Sequence, residues 1–189
     1  EDSTAVAMAE PGAGSDLAAI QTRAVRDGDR YVINGEKTFI SNGRRADLVV
    51  VACKTDPEAG HKGISLIVVE KGTLGFKRGK KLEKIGQLAA ETCELIFEDV
   101  RVPAGNLLGE ENKGFYYLMS KLQQERLICS IQALAAAEES LRITVEYVKQ
   151  RSAFGKSVGS FQNTQFKIAE MATDIRMARS FIDDLTLRY

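Results

Sequence analysis

Between Gly114 and Tyr189 the chain has no proline, and its apolar residues recur at three- and four-residue spacing; upstream of residue 112 they do not. This change of period constrains the fold more than any other feature, because side chains repeat every 3.6 residues on a helix and every 2 on a strand. In the second half Phe115, Leu118, Met119, Leu122, Cys129 and Ala133 mark one stripe of a helix that can run to about Gln150. Gly155 and Gly159 break it, and Ser160 is placed to cap a second helix. In that helix Phe161, Ile168, Ile175, Ile182 and Tyr189 fall seven apart, with Met171, Ala178 and Leu185 in the companion positions. Such a seam packs against another long helix at a shallow angle. Two antiparallel helices leave apolar faces uncovered, so further helices are expected from the same protein or from a partner.

The upstream half reads as short strands. Residues 21–25 and 30–33 flank the turn signal Asp27-Gly28-Asp29, and Asn34-Gly35 is expected to begin a second hairpin towards Thr38-Phe39-Ile40. Residues 48–52 and 64–69 are β-branched runs separated by a loop with Pro57, Gly60 and Gly63, and residues 94–97 form another strand. The basic run Lys77-Arg78-Gly79-Lys80-Lys81 suits a solvated strand edge or turn. The expected fold class is α+β. Residues 1–108 form an antiparallel β-barrel or sandwich, and residues 109–189 form the first helices of an antiparallel α-helical bundle.

Composition removes several function classes. A formal net charge of zero gives no electrostatic footprint for nucleic acid or an anionic membrane. No apolar run approaches the ~18 residues a spanning helix needs. Cys53, Cys93 and Cys129 lack metal-ligand spacing and each lies in an apolar stretch, which predicts reduced, buried thiols and no metal site. The single histidine, His61, lies in a Gly/Lys loop where a solvated side chain is expected. Ser65 and Ser130 have no base at the spacing nucleophilic catalysis uses.

Three places carry candidate chemistry. Glu10-Pro11-Gly12-Ala13-Gly14-Ser15-Asp16 is a glycine-rich turn in which Gly12 and Gly14 permit positive φ and Ser15 with Asp16 can cap whatever follows. It suits a phosphate-bearing or flat aromatic ligand, or is simply a tight connection. Glu125 falls on the stripe of Leu122 and Cys129, where a carboxylate must be paired, with Lys121 for instance, or face a cavity. Arg151 is either a helix-end cation or an anion-binding fork.

Five ordered blocks tie these places together. They are Ala7-Met8-Ala9 leading into the glycine-rich turn, the stretch 34–43 from Asn34 to Gly43, Phe97-Glu98-Asp99-Val100-Arg101-Val102-Pro103, Gln124-Glu125-Arg126-Leu127, and the segment 151–162. With these the chain resembles the acyl-CoA dehydrogenase family of flavoproteins. It is most similar to the long-chain branch, through the stretch 109–117 and Gln124-Glu125-Arg126-Leu127. The resemblance implies FAD-dependent α,β-dehydrogenation of acyl-CoA thioesters of the fatty-acid β-oxidation type. A glutamate removes the α-proton and the β-hydride passes to the flavin.

By position, the resemblance places Met8, Ala9, Phe39, Ile40 and Ser41 on the flavin ring. It places Arg151, Phe154 and Gln162 on the FAD of a neighbouring subunit, which implies a homo-oligomer, a dimer of dimers or homotetramer. Glu125 becomes the catalytic base, and Ser15, Gln123, Gln124 and Arg126 contact the CoA part. Family members usually carry a threonine where this chain has Ala9, a lost hydroxyl worth about 1 kcal/mol of hydrogen bonding. An electron-transfer flavoprotein is the implied electron acceptor. The implied location is intracellular, cytoplasmic if bacterial and the mitochondrial matrix if eukaryotic. The chain opens without methionine and closes inside a helical repeat, so a domain fragment lacking an amino-terminal helical domain and later helices is expected. An oxidase or monooxygenase of the same fold, or a non-catalytic interaction module, are the rival readings.

Overall fold

The computed structural model describes residues 3–189, which form two compact units divided between Met119 and Ser120. The first unit is a curled, mostly antiparallel sheet of seven strands: β1 (Thr4–Ala7), β2 (Arg23–Asp27), β3 (Arg30–Ser41), β4 (Leu48–Lys54), β5 (Ile64–Glu70), β6 (Phe76–Lys81) and β7 (Thr92–Pro103). The strands lie in the order β1-β4-β2-β3-β7-β6, with β5 paired to β4. β1 runs parallel to β4, an exception to the antiparallel rule that short local turns cannot produce. The basic run sits on β6, at the sheet edge, as its charge suggests.

One side of the sheet buries Tyr31, Ile33, Val49, Val51, Ile67, Val69, Leu95, Phe97 and Val100. Each such side chain contributes about 1.5–3 kcal/mol when removed from water. The other side of β4 and β5 is covered too, by Ala13, Leu17 and Ile20 of the glycine-rich segment and by Phe115, Tyr117 and Leu118. Burial on both faces is why residues 48–53 and 64–69 read as continuous apolar runs rather than as alternation. His61 is not solvated as expected: it is half-buried against Phe115, with ring centroids 5.0 Å apart.

Asn34-Gly35 does not turn a hairpin. Both residues lie inside the single strand β3, where one residue of β3, Asn34, opposes two of β7, Glu98 and Asp99, between the pairs Ile33–Val100 and Gly35–Phe97. The extra residue of β7 is accommodated at Asp99, which takes φ 50°. The Asn34 amide braces this bulge, donating to Asp99 Oδ1 (3.0 Å) and accepting from the Asp99 N–H (2.8 Å). Gly35, at φ 150°, passes so close to Thr22 that a Cβ would lie 2.7 Å from the Thr22 Cα. The dipeptide thus serves a bulge and a close approach, which local sequence cannot distinguish from a turn.

Helix α1 (Gly114–Gln150) matches the expected span. Within the second unit a hairpin of β8 (Ser152–Ala153) and β9 (Lys156–Ser157) leads to helix α2 (Gln162–Arg188). Ser160 does not cap α2: its hydroxyl donates to the Ser157 carbonyl (2.6 Å) and the N-cap position is Phe161. Ile168, Ile175 and Ile182 of the expected seam are half-buried, and Arg179 of α2 donates from Nε to Glu138 Oε1 of α1 (2.8 Å). On α1 the buried or half-buried seam is Leu127, Ile131, Leu134, Glu138, Leu141, Val145 and Val148, while Cys129 and Ala133 are exposed. Cys53 and Cys93 are buried thiols as expected; Cys129 is not. Burial pushes the Cys53 thiol up to about 12, so it stays protonated.

Gly35→Ala should therefore cost about 2–4 kcal/mol, from backbone strain and overpacking against Thr22 together. Gly28→Ala, where φ is 61° but a Cβ meets open space, should cost about 1 kcal/mol. Urea unfolding of both variants checks this; equal losses would show that contact with Thr22 is unimportant.

Candidate active site

The glycine-rich turn is organised by a residue that its sequence context does not single out. Lys37, whose side chain is 0% exposed, donates from Nζ to Glu10 Oε1 (2.8 Å) and to the Met8 carbonyl (2.9 Å). Glu10 also accepts the backbone N–H groups of Gln21 (2.5 Å) and Thr22 (3.0 Å). Burial alone would raise the Glu10 carboxyl, but the donors Lys37, Thr22 and Gln21 outweigh it and hold the carboxyl below its ordinary value. Burial lowers the Lys37 ammonium, against the opposing pull of Glu10. The turn itself is closed by paired backbone bonds between Glu10 and Ala13 (2.8 and 3.1 Å). Gly12 and Gly14 do not take positive φ, and each faces open space. Asp16 stands at the N-cap of the short 3-10 turn Leu17–Ala19, but neither it nor Ser15 caps it with a side chain. Ser15 is exposed.

Beside this turn the Thr38 N–H donates to the Ala9 carbonyl (2.9 Å), bringing residues 8–9 against β3. Between Lys37 and Ile40 the register of β3 against β7 slips by one residue, and Phe39 takes φ 57°. That bulge turns the Phe39 ring out of the sheet, where it is 69% exposed. Ser41 is exposed, whereas the Ile40 side chain lies in the core at 2% and leaves only its backbone for a ligand. Left-handed φ costs a bulky residue about 1–2 kcal/mol, so an exposed phenylalanine held there is a surface shaped for something that covers it. Met8, Ala9, Phe39, the Ile40 backbone and Ser41 thus stand together as a partly apolar ledge where the Thr38–Ala9 bond joins residues 8–9 to β3. It fits an aromatic ring with hydrogen-bonding edges.

In the second unit Glu125 is exposed, and among the described residues it has no ion-pair partner, Lys121 included. At about 100° per residue it projects from the side of α1 roughly opposite the Leu127–Leu134 seam, so α2 does not cover it. Gln123 and Arg126 line a groove with Leu127, Ser130, Leu185 and Tyr189; Gln124 is exposed outside it. Arg151, Phe154 and Gln162 gather in the connection between the helices and are all exposed, Phe154 at 96%. Phe154 and Gly155 form the two-residue turn of the β8–β9 hairpin, with φ 54° and 77°. Phe154 is therefore a second aromatic ring held outward by a left-handed backbone.

The chain belongs to the acyl-CoA dehydrogenase family. Residues 5–100 match the family's middle domain and residues 112–187 its C-terminal domain. The chain is 53% identical over 181 residues to the mitochondrial long-chain specific acyl-CoA dehydrogenase of Rattus norvegicus, which covers 95% of this chain and 42% of that protein. The crystal structure of an acyl-CoA dehydrogenase from Geobacillus kaustophilus matches at 63% identity and a TM-score of 0.95, over 97% of this chain and 49% of that one. A chain in the structure described as the electron transferring flavoprotein of Acidaminococcus fermentans matches at 46% identity and a TM-score of 0.91, over 96% and 48%. The chain thus spans less than half the length of these relatives.

The Lys37–Glu10 pair left no pattern legible in one sequence, because nothing in the spacing of 27 residues brings the two together. Phe39 tests the ledge directly. Phe39→Asn, whose side chain tolerates φ near 57°, should leave stability within about 1 kcal/mol of wild type or above it. Binding of the aromatic ligand should weaken at least fivefold. A destabilised variant with unchanged ligand binding would show that Phe39 is a packing residue.

Proposed function

We propose that this chain supplies the flavin platform and the catalytic base of an FAD-dependent acyl-CoA dehydrogenase that introduces the α,β double bond into acyl-CoA thioesters in fatty-acid β-oxidation. The observation that carries the reading is the ledge of residues 8–9 and 39–41, with Phe39 held outward at φ 57°. Bound FAD would supply the hydride acceptor. The chain's own residues do the rest. Ala9 and Ser41 offer hydrogen bonds to the ring edge, and Phe39 offers an apolar wall. Glu125, free of an ion-pair partner, takes the α-proton of the thioester at its carboxylate. Ser15, Gln123, Gln124 and Arg126 bind the CoA part; the groove that holds Gln123 and Arg126 supports this for two of them.

Arg151, Phe154 and Gln162 are read as contacts to the FAD of a neighbouring subunit, in a homotetramer built as a dimer of dimers. Their exposure at one connection, with the Phe154 ring outward, supports that role. A fork of charge-assisted bonds from arginine suits a pyrophosphate. We propose the functional division of the chain between residues 108 and 109. An electron-transfer flavoprotein is the proposed acceptor, and an intracellular location, cytoplasm or mitochondrial matrix, accords with the mitochondrial relative. No described helix is long and apolar enough to cross a membrane.

Glu125→Gln in the full-length protein should retain FAD and bind acyl-CoA, while flavin reduction slows by about 10²–10⁴, the range typical of a lost general base. Anaerobic stopped-flow bleaching of the flavin measures it, and near-wild-type bleaching would place the base elsewhere. Arg151→Ala should lose FAD on dilution far more than it loses acyl-CoA affinity, through a charge-assisted fork worth about 1.5–3 kcal/mol. Flavin content after gel filtration, with oligomer size measured alongside, decides that point.

A further inference from the structure

Lys37 and Glu10 touch none of the surface a ligand would meet, yet they hold the segment that forms it. The Lys37 ammonium takes the Met8 carbonyl from inside the fold. In a trans peptide the carbonyl and the following N–H point in opposite directions, so fixing the Met8 carbonyl inward fixes the Ala9 N–H outward. Among the described residues no acceptor meets that N–H, while the Ala9 carbonyl is held by Thr38. Thr38 lies between Lys37 and Phe39, so the same lysine is the last regular residue before the bulge that ejects the Phe39 ring. Glu10 in turn is fixed at both oxygens, by Thr22 and Lys37 at one and by Gln21 at the other. The ammonium therefore has one place to sit.

We propose that Lys37, held by Glu10, is a positioning residue for the flavin ring: it presents the unpaired Ala9 N–H to the ring edge and fixes the bulge that carries Phe39. The assignment rests on the flavin reading above. It gives the position a particular weight in this chain, because Ala9 has no side-chain donor and its backbone N–H is the donor that residue 9 can offer.

The test uses the full-length protein carrying Lys37→Met together with Glu10→Gln, which removes both charges and leaves neither buried alone. The expected result is an apo-protein that still melts cooperatively, binds FAD at least tenfold more weakly, and shows an altered visible band and midpoint potential for the FAD it retains. A structural role alone would move the melting temperature and leave the spectrum and potential of bound flavin unchanged; that result overturns the proposal. If the double variant does not fold, Glu10→Gln decides, since it keeps a lysine on the Met8 carbonyl but frees it to wander. Severalfold weaker FAD binding and a shifted visible band support the proposal, and affinity within twofold with an unshifted band overturns it. Wild-type protein that binds no FAD would overturn the flavin reading and this inference together, whereas FAD-binding wild type with unperturbed variants overturns this inference alone.

Discussion

A lysine ammonium and a carboxylate buried together under the glycine-rich turn are the constraint around which the first unit is arranged. Removing each ion from water costs several kcal/mol, and a buried pair repays that only when its remaining hydrogen-bonding positions are also filled. Here they are: Lys37 reaches a carbonyl as well as Glu10, and Glu10 receives two backbone N–H groups besides the ammonium. The pair joins the segment just after β1, the residues just before β2 and the middle of β3, and β1 neighbours neither of the other two strands in the sheet. No described buried side-chain polar atom is left without a partner. Such a network tolerates little rearrangement, which suits a surface that must keep its geometry with or without a ligand.

Of the described non-glycine residues at left-handed φ, Phe39, Asn42, Gln87, Asp99, Asn112 and Phe154, the two aromatic ones lie at candidate ligand contacts. Phe39 and Phe154 both adopt left-handed φ and both expose their rings, in different units and by different devices, a β-bulge in one and a two-residue hairpin turn in the other. In each case cross-strand hydrogen bonds on either side hold the strained residue in place. Strain kept in this way is favourable to the protein only if the exposed ring gains more on being covered than the backbone loses. Asp99 shows the contrasting use: its left-handed φ is braced by Asn34 and serves the sheet's curvature, with no aromatic ring presented.

Much of the fold was legible because burial and period leave marks on sequence. The apolar runs of β4 and β5, the turn at Gly28 and the span of α1 follow from local rules. The motif blocks located the candidate ledge at residues 8–9 and 39–41. Two of the expectations that failed did so because a local pattern can have two tertiary uses. Asn34-Gly35 suits a hairpin turn and equally a bulge pressed against Thr22. The stripe through Leu122, Glu125 and Cys129 is as regular as the seam through Leu127 and Leu134, and periodicity alone does not say which one α2 covers.

The sequence by itself determined the class of fold, the division into a β half and a helical half, and the family, because these depend on the spacing of apolar residues and on motifs spread along the chain. Only the tertiary structure decided that Glu10 meets Lys37, that Phe39 leaves the sheet while Ile40 enters the core, and that Glu125 stands without Lys121. Those outcomes depend on which distant residues reach the same place. Distance along a chain carries no information about that until the sheet has been assembled.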